Sequence, residues 1–140
     1  MGATDETLDL FTRSMERCLL APSFLDRFYA RFLLSSDVAA RRFENVDLKR
    51  QAAVLRASLS HVMRAARGAS DGMQHLEEIA AKHSKRGLDI RPAEYKHWLE
   101  CLIAVARETD PTFDAPTEAA WRLHIGNAIG VMLARYEQGV

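Results

Sequence analysis

The feature that most limits what this chain can fold into is its punctuation. Stretches with helical periodicity each open at a capping residue or a proline and close at a glycine or a helix-breaking pair. No stretch alternates apolar and polar residues with a period of two, and no Asn-Gly or Asp-Gly pair sits between alternating apolar runs. Strands are therefore excluded, and the spacing predicts an all-α chain of about seven helices.

Asp5 opens a first helix to about Leu20, and Pro22 falls in the first turn of a second. There Leu25, Phe28, Tyr29, Phe32 and Leu33 recur at i, i+3, i+4, i+7 and i+8, a wide apolar stripe that must face a core. Ser36 or Asp37 opens a short helical turn ending near Phe43, and Asp47 opens a long helix to about Arg67, stopped by Gly68. After a loop from Gly68 to Gly72, a helix runs to about Arg86, with Gly87 beyond it. Pro92 opens a sixth helix, which Asp110-Pro111 breaks, and Pro116 opens the last, which carries Trp121, Ile125, Ile129, Met132 and Tyr136.

At 140 residues the chain is expected to form one domain, residues 1–140. Its 19 Lys plus Arg balance 19 Asp plus Glu, which removes any electrostatic drive toward nucleic acid or an anionic membrane. The longest uncharged stretches, Cys18 to Leu25 and Leu123 to Ala134, fall short of the ~20 residues a membrane span needs. The acidic opening, with Asp5 and Glu6 where a signal peptide is basic, leads to the expectation of a cytoplasmic protein. Cys18 and Cys101 have no CxxC partner and are expected to pack as small apolar residues.

One histidine differs from the other four. His83 ends the stripe Leu76, Ile79, Ala80, so its imidazole points inward, where an unmet polar atom is costly. Either a core hydrogen bond or a metal satisfies it, and a single inward histidine in an all-helical domain of this size is compatible with a haem iron. A second constellation lies on the long helix. Gln51, Leu55, Ser58 and Val62 fall at 0, 40, −20 and 20 degrees when each residue advances ~100 degrees, so one face presents an amide among mostly apolar side chains. Tyr29 sits likewise inside the stripe of the second helix. Two donors on apolar faces either bond each other in the core or grip a polar diatomic ligand.

These residues resemble the globin family, in particular single-domain bacterial haemoglobins and the globin domain of flavohaemoglobins. The resemblance runs from about Asp5 to Glu137 and rests on several fragments in order. They are Phe28-Tyr29 followed fourteen residues later by Phe43, Gln51 with Leu55, Ile79-Ala80-Ala81-Lys82-His83, Ile90-Arg91-Pro92-Ala93-Glu94-Tyr95, and Ala120-Trp121. It implies a globin fold around haem b (iron protoporphyrin IX), with His83 as the proximal metal ligand. It places Phe43 against the porphyrin, Leu55, Ile79, Ile90 and Tyr95 around the cofactor, and Tyr29 with Gln51 as the distal pair facing O2, NO or CO.

The function implied is reversible gas binding at a pentacoordinate haem iron, in a monomer or homodimer. Two alternatives are NO dioxygenation, which without a flavin domain draws electrons from an external reductase, and a haem-based gas sensor or interaction module. The chain departs from the flavohaemoglobin pattern in carrying two more residues between His83 and Ile90. It also places Tyr136, with Glu137 one residue late, where that pattern has the glutamate that joins a tyrosine and the proximal histidine. His61, ten residues past Gln51 and so about 15 Å along the helix, is too far to reach the distal face of the same iron. His75, His97 and His124 are assigned to surface or packing roles, and Lys82, Arg86 and Arg91 are candidates to pair a haem propionate.

Overall fold

The computed structural model describes the backbone of residues 2–84 and 88–137, and the side chains of residues 6–84 and 88–136. Among these the chain is helical without strands: α1 (Gly2–Leu20), α2 (Phe24–Leu34), α3 (Asp37–Arg42), α4 (Leu48–Ala66), α5 (Ser70–His83), α6 (Pro92–Thr109) and α7 (Ala115–Glu137).

Local chemistry sets most of the boundaries. The Ser36 side chain accepts from Ala39 N, and Asp47 accepts from Lys49 N and Arg50 N, so the two helices that follow start on satisfied donors. Pro92 is the first residue of α6, and Gly68 (φ 85°) ends the run of α4 in the left-handed region that favours glycine. Four expectations need correction. α1 begins at Gly2, so Asp5 lies within the helix. Pro22 precedes α2, because a turn from Cys18 to Phe24 intervenes and Ser23 takes the cap position. α5 already begins at Ser70 and contains Gly72, whose glycine serves contact and not a loop: a Cβ there would stand 2.6 Å from Ala65 N on α4. α5 also ends at His83, with Ser84 as its cap; Lys85 and Arg86, where a longer helix was expected, and Gly87, expected just past its end, lie outside the described residues.

In the core, α7 packs against α1, α4, α5 and α6, which is why apolar residues run right round it. α2 packs on α6 and α4 on α5. Trp121 is fully buried, with Phe11 and Phe113 each edge-on or tilted at 5.8 Å. Burial of side chains of this size contributes about 1.5–3 kcal/mol apiece.

One buried charge ties the two ends of the fold. The fully buried Asp110 carboxylate, at the corner between α6 and α7, receives Arg17 Nε (2.8 Å) and Nη2 (3.0 Å), Ser14 Oγ (2.6 Å) and both donors of Thr112. Although burial alone would raise its pKa, these donors together hold the carboxyl well below the usual range. Its contribution is therefore complete above the unfolded carboxyl value of about 4 and is lost as pH falls below it. Asp110→Ala should cost about 2–3 kcal/mol in urea unfolding at pH 7, under the usual penalty for a broken buried pair because Arg17, 40% exposed, can rehydrate. Asp110→Asn should flatten the acid limb of the stability profile; an unchanged limb would show that the pair does not govern it.

Candidate functional site

α2, α3, α4, α5, α6 and α7 enclose a cavity of about 210 Å³. Tyr29, Phe43, Gln51, Leu55, Ile79, His83, Ile90 and Tyr95 all line it, whereas of the propionate candidates Lys82 and Arg91 do not, and Arg86 lies outside the described residues. The face expected of the long helix is also present, since Ser58 and Val62 line the cavity with Gln51 and Leu55. The remaining wall is largely apolar, from Leu59, Leu76, Ile125, Ile129 and Met132.

His83 is the last residue of α5 and is half-buried. Its Nδ1 lies 2.7 Å from the carbonyl oxygen of Ile79, one turn earlier. A carbonyl only accepts, so Nδ1 carries a proton, and in the neutral ring the lone pair stands on Nε2. The side chain thus satisfies its inward polar atom within its own helix and keeps one nitrogen as an acceptor or ligand. The helix end is held by the chain that follows, with Ile90 N donating to His83 O (3.1 Å) and Asp89 N to Ser84 O (2.9 Å).

Elsewhere in the wall, the Tyr29 ring is fixed between Phe28 (5.1 Å) and Phe43 (5.9 Å). Its hydroxyl donates to the backbone carbonyl of Gln51 over a long 3.4 Å. Burial pushes the Tyr29 pKa up to about 12, so the group is a protonated donor at neutral pH. Its present bond is weak enough for the proton to be redirected at small cost. Tyr95 is also raised to about 12, by burial and then by the neighbouring Glu94 charge, and its hydroxyl is buried with no hydrogen-bond partner. A buried orphan hydroxyl in a cavity wall marks a place built to be covered or filled.

The turn after His83 takes its own shape. Asp89 has φ 54°, and the Tyr136 hydroxyl donates to its Oδ1 at 2.8 Å. Arg42 grips the same turn through the carbonyls of Leu88 and Asp89 (3.0 Å each) while pairing with Glu94. Tyr136 thus meets Asp89, where the flavohaemoglobin pattern has a glutamate bonded to a tyrosine.

Sequence reasoning missed Arg42, Glu94, His97 and Trp98 in the cavity wall. Trp98 lies one turn beyond Tyr95 and could have been read from that spacing. His97 is two residues from Tyr95, about 200° round the helix, and enters the wall only because α2 brings Phe32 (5.0 Å, stacked) and Ser35 (Oγ to Nε2, 2.6 Å) against it. His124 is buried and stacked on Phe11 at 5.4 Å, in keeping with a packing role.

The globin family model matches residues 28–132. The chain belongs to the globin family. A solved structure from Pseudomonas aeruginosa, described as structurally highly homologous to a human haemoglobin, is 37% identical; the match covers 93% of this globin and 98% of that chain, with a TM-score of 0.88. No curated protein matches this globin. No helix among its described residues is long and apolar enough to cross a membrane.

Tyr95→Phe removes the orphan hydroxyl while keeping the ring. Thermal unfolding without added ligand should show the variant equal to the parent or up to about 1 kcal/mol more stable. A loss of more than that would reveal a partner for the hydroxyl and overturn its description as unpaired.

Proposed function

We propose that this globin is a single domain over residues 1–140 that holds haem b through His83 and reversibly binds O2, with NO and CO as further ligands. The observation that carries the reading is the 2.7 Å contact of His83 Nδ1 with the Ile79 carbonyl: it takes the ring proton and, in the neutral imidazole, leaves the lone pair on the other nitrogen of a residue lining an apolar cavity. No group of three or more His, Cys, Asp or Glu among the described residues could hold a metal ion by itself. One imidazole would be a sufficient protein ligand where a macrocycle supplies the other bonds to the iron, which fits haem and not a protein-only metal site. Bound there, haem supplies an iron with one open position for a diatomic gas.

The chain's own residues do the rest. Phe43, Leu55, Ile79, Ile90 and Tyr95 exclude water and contact the macrocycle, while Arg42, also in the cavity wall, is committed to Glu94 and to the carbonyls of Leu88 and Asp89. Lys82 and Arg91 are exposed, and Arg91 is occupied with Asp89 at 3.5 Å. Tyr29 and Gln51 face the ligand as donors. They should not contribute equally, because the Tyr29 ring is immobilised by Phe28 and Phe43, whereas Gln51 must freeze three side-chain torsions.

Stopped-flow O2 dissociation tests the assignment. Tyr29→Phe should raise the rate by roughly tenfold or more, the factor for a lost bond of about 1.4 kcal/mol, and by more than Gln51→Leu does. CO, less polar when bound, should change little. An unchanged or slower O2 rate in Tyr29→Phe would sink the distal assignment.

A further inference from the structure

Between the turn joining α4 to α5 and the cavity, two imidazoles lie face to face. The His61 and His75 ring centroids are 3.7 Å apart with planes inclined by 21°, and His61 Nδ1 is buried with no hydrogen-bond partner. The pair sits on a lever. At Gly72 a Cβ would stand 2.6 Å from Ala65 N and 2.8 Å from Arg64 Cβ, so the helices touch backbone to backbone there, just past the left-handed Gly68. His61 is one turn from Ala65 on α4, and His75 one turn from Gly72 on α5. Farther out, the same two arms carry Leu59 and Leu76, and finally Gln51 and His83, into the cavity wall.

We propose that His61 and His75 form a proton-operated latch: stacked and neutral, they hold the two arms together, and protonation of both parts them and loosens the cavity's hold on its ligand. The last clause rests on the haem reading; the latch itself does not. The charged groups around His61 act on its titration. On α4, Arg64 opposes a charge on His61, and on α5 a charged His75 does the same, while Asp71 and Glu78 favour it. Asp71 is engaged by Arg64 at 2.5 Å, and Glu78 lies 3.9 Å from His75 Nδ1. α1 meets α4 nearer the turn, where Glu16 faces Arg67 at 3.7 Å. His75, 47% exposed and beside Glu78, is the solvent-facing member of the pair, so a charge there stands across the stack from His61. Burial, then His75 and Arg64, lower the His61 pKa against the opposing pull of Asp71 and Glu78. The latch thus contributes fully above the ordinary histidine value of about 6.5 and is lost as pH falls below it.

Three readouts on the full chain, with His61→Gln and His75→Gln, decide the matter. In NMR titrations, His75→Gln should move the His61 ring titration to higher pH. In urea unfolding without added haem, the parent midpoint should fall between pH 7.5 and 5.5 more steeply than in either variant; His124 and the carboxylates contribute equally to all three. Haem transfer to an excess of a haem-free acceptor protein should accelerate several-fold over that range in the parent and much less in the variants. An unmoved His61 titration, or pH profiles of unfolding that superimpose, overturns the latch. If the protein takes up no haem, the functional reading fails, yet the titration and the unfolding still decide the latch. If haem binds and the latch titrates but transfer rates superimpose, the coupling to the cavity is overturned.

Discussion

The hydrogen bond from His83 Nδ1 to the carbonyl of Ile79 is the interaction on which the account of the site depends. It is short, at 2.7 Å, and it closes within one turn of one helix, so it needs nothing from outside α5 to form. It does two things at once. It satisfies a polar atom that the apolar stripe would otherwise bury at a cost, and it fixes the ring so that the remaining lone pair is the one available to the cavity. A reversed tautomer would leave the Ile79 carbonyl without this donor and place a proton where a ligand bond is needed.

The rest of the fold holds α5 in place around that bond. At one end Gly72 lets α5 meet α4 at backbone contact, and along its length α5 packs on α7. At the other end the turn after His83 is gripped from two directions, by Arg42 at the end of α3 and by Tyr136 of α7. Far from the cavity, Asp110 joins α1 to the α6–α7 corner through Arg17 and Ser14, so the helices forming the wall are tied to those that do not.

What was legible in the sequence was what local chemistry encodes. Ser36, Asp47 and Pro92 mark helix starts because capping is settled within three residues, and Tyr29, Gln51 and His83 stood out as polar groups on apolar stripes. What was not legible depends on packing between elements. Gly72 looked like a loop residue because its reason for being glycine lies on another helix. The bond between Asp89 and Tyr136 spans 47 residues, and periodicity has nothing to say about it. His97 reaches the cavity wall because α2 packs on α6, and its own spacing points away from Tyr95. The family pattern supplied roles for eight residues, and their convergence on one cavity is a property of the fold that no single fragment carries.

The most direct test of the central claim is a ferric and ferrous absorption titration of the purified protein with haem. The account predicts a Soret band that saturates at one equivalent, a ferrous spectrum of a five-coordinate haem that shifts on adding O2, and loss of that spectrum in His83→Ala with recovery on adding free imidazole. A titration that never saturates, or a His83→Ala variant with the parent's spectrum and affinity, would contradict it.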